Sequence, residues 1–130
     1  MKPRFLLNKY WLTALIIFLG SLSCTFHRHD VSVSIKESED VYQMSARFNG
    51  RKTSAVERLI NEYSATGNVF WPGGNDIDAT VSLGGHNQFY VKSSRGRVKI
   101  KFDKDENSDE AYYKVKEMCE GIKEMLAEER

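Results

Sequence analysis

Apolar and polar residues alternate strictly through three successive stretches of residues 76–102, and this pattern constrains the fold more than any other feature of the chain. In the first stretch the apolar residues are Ile77, Ala79, Val81 and Leu83. A period of two places every apolar side chain on one face of an extended strand. A turn at residues 84–87 and a tight turn at Arg95-Gly96 join the stretches, and the second turn pairs Val91 with Ile100. The sequence therefore predicts a three-stranded antiparallel meander with one apolar face.

A second hairpin is predicted in residues 31–48. The segment Val31-Ser32-Val33-Ser34-Ile35 alternates, and another alternating stretch begins at Val41. A two-residue turn at Ser38-Glu39 pairs Ile35 with Tyr42 and brings the two apolar faces to the same side.

Two helices complete the predicted fold. Ser54-Ala55-Val56-Glu57 has the form of a capping box, which predicts a helix that starts there and ends near Gly67. Asn107 to Arg130 begins with a cap and two acidic residues, and its apolar residues then recur three and four positions apart, as in an amphipathic helix. The order β-β-α-β-β-β-α with hairpin connections predicts an α+β fold, a five-stranded mainly antiparallel sheet with both helices on one face.

The N-terminal residues have the layout of a secretory signal peptide. Residues 1–23 contain three cations and no acidic residue, and they include an apolar run of 13 residues from Tyr10 to Leu22. A membrane-spanning helix needs about 20 apolar residues, so we expect export rather than a permanent transmembrane span.

The end of this segment resembles the lipobox of bacterial lipoproteins. Gly20-Ser21-Leu22-Ser23-Cys24 places a cysteine where lipoproteins carry the residue that becomes lipidated. Ser21 departs from the aliphatic residue that lipoboxes prefer, and the two serines also fit ordinary signal cleavage. Both routes cut before Cys24, which is then either acylated or left as a thiol. The resemblance favours a lipid on Cys24 as a membrane anchor, whereas a free thiol could form a disulfide with Cys119 in an oxidising compartment.

The remaining residues have the size and charge of one near-neutral domain. Removing residues 1–23 takes away three of the 19 basic and none of the 18 acidic residues, which leaves a net charge of −2. This balance lacks the basic excess of many nucleic-acid-binding proteins, and we expect no nucleic acid partner. We expect residues 24–30 to be a tether and residues 31–130 to be a single α+β domain.

Two short segments and the order of the predicted elements resemble small uncharacterised exported proteins of Gram-negative bacteria. The segments are Asp76-Ile77-Asp78-Ala79-Thr80 and Met118-Cys119-Glu120-Gly121-Ile122-Lys123. The resemblance implies export to the cell envelope, either on the periplasmic side or anchored to the outer membrane by a lipid, and otherwise secretion. It implies no activity and no functional residues.

The polar side of the meander carries the candidate binding residues. Its register places an aromatic ring and four cations on the face opposite the apolar one: Tyr90, Lys92, Arg97, Lys99 and Lys101. Such a patch can hold an anionic glycan, a lipid headgroup or an acidic protein surface. The alternative is a solvated face whose charges protect an edge strand from unwanted pairing.

Other polar segments match chemical motifs only in part. His27-Arg28-His29-Asp30 offers two imidazoles and a carboxylate, but no further ligand stands at the spacing that closes a tetrahedral metal site. His86 lies in a glycine-rich turn. Asp103 to Asp109 has oxygen side chains at alternate positions, as does the first half of an EF-hand loop, but Lys114 stands where the bidentate glutamate is required. We therefore expect no metal and no cofactor.

No residue pattern in the chain predicts an enzyme. The sequence has no nucleophile elbow and no phosphate-cradling glycine loop. We expect an envelope-associated binding or structural module that engages an anionic partner through its basic sheet face. The alternative is a periplasmic inhibitor or immunity-type protein that binds another protein. A second exposed-aromatic candidate is Phe70-Trp71, in a link of residues 68–75.

Overall fold

A computed structural model describes residues 23–28, 31–67, 69 and 76–128, with backbone alone for residues 23–28. Its strands are β1 (Ser23–Arg28), β2 (Val31–Glu37), β3 (Val41–Arg47), β4 (Ile77–Gly84), β5 (Asn87–Ser94) and β6 (Arg97–Asp103). They form one sheet in the order β1-β2-β3-β6-β5-β4, and every neighbouring pair is antiparallel. The hairpin of β2 and β3 therefore joins the meander of β4, β5 and β6 through the pairing of β3 with β6.

Two α-helices pack on this sheet, α1 (Thr53–Tyr63) and α2 (Asp109–Ala127). Ser108 caps α2 as predicted, because its hydroxyl accepts a hydrogen bond from the amide of Ala111 at 3.1 Å. The capping box predicted at Ser54 is not formed, since α1 begins one residue earlier. Its entry is instead a 3-10 turn, Gly50–Lys52, in which the side chain of Asn49 accepts from the amide of Arg51 at 2.9 Å.

The predicted α+β fold is confirmed, with the stated order of five strands and two helices. The apolar sides of strands β2 to β6 form one buried cluster with residues of both helices. The largest fully buried side chains from the sheet include Tyr42, Met44, Phe89, Ile100 and Phe102, and those from the helices include Ile60, Met118, Ile122 and Leu126. Both helices therefore cover the same face of the sheet, and no described helix or strand covers the opposite face, which we call the open face.

The register of the first hairpin corrects the prediction. Ile35 lies opposite Met44 rather than opposite Tyr42. The turn lies at Glu39-Asp40, one residue later than predicted, because the amide of Ser38 donates to the carbonyl of Val41 at 2.9 Å and the Ser38 hydroxyl accepts from the Val41 amide at 3.2 Å. A shift of two residues leaves every side chain on its predicted face. In the meander, the predicted pairing of Val91 with Ile100 is confirmed.

A sixth strand, β1, extends the sheet where we predicted the cleavage boundary and the start of a tether. It pairs with β2 along its whole length, with Cys24 opposite Ile35 and Arg28 opposite Val31. Without β1, the outer edge of β2 would present unpaired backbone donors and acceptors. Pairing of those groups is the physical reason for a strand in this segment.

Residues 1–22 of the predicted signal peptide lie outside the described residues, and so does the Phe70-Trp71 link. Of the helices that the structure describes, none has the length and apolarity needed to cross a membrane. Cys119 is a free thiol buried in the core, as its position on the apolar stripe of α2 predicts. Burial raises the pKa of the Cys119 thiol, which keeps it protonated and unreactive.

Candidate functional site

The open face of the sheet carries the polar residues of every strand from β2 to β6. Direct cross-strand pairs bring its charged side chains together, because residues opposite each other in an antiparallel ladder point to the same side. Lys92 lies opposite Lys99, and Arg47 lies opposite Arg97. Like charges placed directly opposite destabilise a sheet. Both pairs are unfavourable for folding, although Lys92 also lies opposite Asp78 on its other side.

All five predicted site residues lie on this face. Lys92, Arg97, Lys99 and Lys101 are exposed, and Tyr90 is half-buried opposite Lys101. The neighbouring Asp78 carboxylate raises the pKa of the Tyr90 phenol, so this ring remains a neutral neighbour of the lysines.

The structure adds two cations to the predicted set, Lys36 and Arg47. Lys36 lies opposite Gln43, which in turn lies opposite Lys101. Both cations come from the first hairpin, and only the pairing of β3 with β6 places them beside the meander. The alternation of residues 31–48 puts Lys36 and Arg47 on the polar side of their own strands. It does not indicate which other strand pairs with this hairpin. We call the six together the basic face: Lys36, Arg47, Lys92, Arg97, Lys99 and Lys101.

Few acidic residues balance the basic face. On strands β2 to β6 the same side carries two carboxylates, those of Asp78 and Asp103. The carboxylate of Asp103 accepts hydrogen bonds from the amides of Asp105 at 2.9 Å and Glu106 at 3.3 Å. Among the side chains that the structure describes, no carboxylate forms an ion pair with any of the six cations. Their charge is therefore available to an external anion.

A depression of about 440 Å³ lies at one end of the basic face. Four serine hydroxyl groups line it, those of Ser32, Ser34, Ser45 and Ser94. Four of the six cations also line it: Arg47, Lys92, Arg97 and Lys99. Serines are short and the cations are long, so a row of serines beside arginines and lysines leaves a concave surface. No sequence pattern predicts this depression, because its lining comes from four strands.

A second polar cluster joins α2 to the first hairpin. Lys104 Nζ lies 2.7 Å from Glu37 Oε2, and the Tyr112 hydroxyl donates to the same oxygen. Burial alone would raise the pKa of Glu37, but the hydrogen bonds from Lys104 and Tyr112 outweigh burial and lower this pKa. Every charge in the cluster has a partner, so its role is to hold α2 on the sheet.

The partial EF-hand match is a turn that leads into α2. The Asp103 carboxylate is occupied by backbone amides, and repulsion from Asp40 raises the pKa of the neighbouring Asp105. Within the described part of the chain, no three His, Cys, Asp or Glu side chains are grouped so that they could hold a metal ion. His86 is exposed in the turn between β4 and β5.

Comparisons with protein-family models, with curated proteins and with solved structures gave no match.

Proposed function

We propose that this protein is an exported, envelope-associated binding module whose basic face engages an anionic partner. The observation that carries the proposal is the basic face itself, with six cations, two of them arginines directly opposite each other, and no carboxylate paired with any of them in the described part of the chain. The proposal is one of binding and not of catalysis, and it includes no cofactor, no metal and no nucleic acid.

The contrast with the rest of the molecule supports this proposal. After cleavage before Cys24 the chain has a net charge of −2, so the cations on one face are balanced by acidic residues elsewhere. A surface with separated charge attracts an anionic partner toward one side and repels it from the other. The attraction is screened by salt, with a Debye length of about 8 Å at physiological ionic strength.

The N-terminal residues support an envelope location. We propose that residues 1–23 direct export and that Cys24 carries a lipid. Because Cys24 already pairs with Ile35 in the sheet, cleavage before it would leave almost all of β1 in place. A lipid there would attach directly to the edge of the domain, without the tether of residues 24–30 that we expected.

The test is a double charge reversal, Arg97→Glu with Lys99→Glu. The full chain is expressed in a Gram-negative host, purified from the envelope in detergent, and applied to immobilised dextran sulfate under a rising NaCl gradient. We expect wild-type protein to be retained at low salt and released as salt increases, and the reversed protein to pass through. Both side chains are exposed, and each reversal turns a like-charge pair with Arg47 or Lys92 into an opposite-charge pair, so the reversed protein should unfold at or slightly above the wild-type temperature.

The matched control is Arg58→Glu with Lys114→Glu, which changes net charge equally but on the helix side of the molecule. Both residues are exposed. The control should be retained nearly as well as wild type. Equal loss of retention in the two double variants would show that net charge, and not the basic face, governs binding, and would refute the proposal.

A further inference from the structure

We infer that the depression on the basic face is a binding site for a phosphate group carried by the anionic partner. This inference rests on the proposed function and names the chemistry of its ligand. It depends on the lining of the depression, which differs from the rest of the basic face. Serine hydroxyls lie there beside arginines, whereas Lys36 and Lys101 lie on the same face outside the depression.

The cations of the depression suit a phosphate group. Arg47 and Arg97 are directly opposite each other, and Lys92 and Lys99 form a second opposing pair one step across the sheet. Guanidinium groups bind phosphate through two parallel hydrogen bonds, and ammonium groups add point charges. A phosphate monoester carries up to about two negative charges and a phosphodiester carries one, and both offer these four cations more acceptor oxygens than a carboxylate does.

The serine hydroxyl groups supply neutral hydrogen-bond donors beside the charged donors of the cations. Ser34 and Ser45 are directly opposite each other, and Ser45 is also opposite Lys99. Hydroxyl groups rotate to donate to whichever oxygen is near, and a phosphate offers acceptor oxygens in several directions. None of the four serine hydroxyls in the depression forms a hydrogen bond with another described residue. They are therefore free to donate to a ligand.

The depression is also large enough for more than a bare ion. A volume of about 440 Å³ lies within the range of small-molecule sites. A phosphorylated sugar and the glycerol phosphate headgroup of a lipid both fit this description. The shared chemistry is a phosphate ester attached to a polar body.

The test measures phosphate binding by the full chain in detergent micelles, from backbone amide shifts and from the unfolding temperature. Inorganic phosphate is titrated against NaCl of matched ionic strength. We expect saturable shifts in β3 and β6 and a higher unfolding temperature with phosphate, and neither effect with NaCl. Glucose 1-phosphate and micelles that contain phosphatidylglycerol are then compared, to distinguish a soluble sugar phosphate from a lipid headgroup.

Two double variants separate the depression from the rest of the face. Arg47→Gln with Arg97→Gln should weaken phosphate binding about tenfold or more, as expected when charge-assisted hydrogen bonds are lost. Lys36→Gln with Lys101→Gln removes the same charge outside the depression and should weaken it by less than about threefold. Ser34→Ala with Ser45→Ala should weaken phosphate binding without any change of charge, and this pair replaces the arginine pair if the latter fails to fold.

Equal weakening by the two charge-removing pairs, or a response to phosphate no larger than the response to NaCl, would overturn the inference. If the phosphate inference fails but retention on dextran sulfate still depends on Arg97 and Lys99, the proposed function stands. Loss of that dependence would refute the proposed function as well, so the two failures are distinguishable.

Discussion

Replacing Ile122 by alanine should lower the free energy of unfolding by about 2–5 kcal/mol, the range for removing a large aliphatic side chain from a packed core. Ile122 is fully buried on α2 and belongs to the cluster shared by the sheet and both helices. The neighbouring Gly121 lies against α1, where an added Cβ would be 3.3 Å from Leu59 Cδ2, so α2 is packed closely against α1 as well as against the sheet. Chemical denaturation of the two proteins measures the difference.

Lys114→Ala is the control for this measurement, because Lys114 is exposed on the same helix. Its effect should stay within about 0.5 kcal/mol. An Ile122→Ala protein as stable as the control would contradict the packing of α2 against the sheet.

Replacing Gly96 by alanine should cost about 2–4 kcal/mol, because two separate penalties add at this position. Gly96 has a φ of +76°, which disfavours any side chain. An added Cβ would also lie 2.7 Å from the carbonyl oxygen of Phe48, an atom of the fixed backbone. The same turn is held on both sides, since the carbonyl of Gly96 accepts from the amide of Phe48 at 2.9 Å and its amide donates to Thr53 Oγ1 at 2.9 Å.

Gly85→Ala separates the two penalties. Gly85 has a φ of +59°, but nothing lies within 4 Å of an added Cβ. It should therefore cost only the backbone strain, about 1–2 kcal/mol. Equal losses of unfolding free energy for the two variants would mean that the contact with Phe48 contributes nothing.

The elements that could be predicted from the sequence are those whose signal is local. The alternation around Val91 and Ile100 fixes both the strands and the face that each residue occupies, because a side-chain period of two leaves one choice once a face is buried. The cap at Ser108 and the apolar stripe of α2 are likewise contained in one segment. The opposing pair Lys92 and Lys99 follows from a single tight turn, so this part of the basic face could be predicted as well.

The elements that could not be predicted depend on distant segments or on a turn whose position is set by its own hydrogen bonds. The pairing of β3 with β6 brings Arg47 beside Arg97, and nothing within residues 31–48 indicates that neighbour. The hydrogen bonds of Ser38 with Val41 place the turn of the first hairpin at Glu39-Asp40, one residue later than predicted. The strand β1 depends on the free edge of β2, a property of the assembled sheet.

The central claim is that an anion meets this protein on its basic face, and the most direct test is to map where a polyanion touches it. Dextran sulfate is titrated into the full chain in detergent micelles, and backbone amide shifts are followed by NMR. We predict that the shifts concentrate in β3, β5 and β6, with Ser45, Lys92 and Lys99 among the most affected, and that added NaCl reverses them. Shifts that fall mainly on α1 and α2, or that spread evenly over the molecule, would contradict the account.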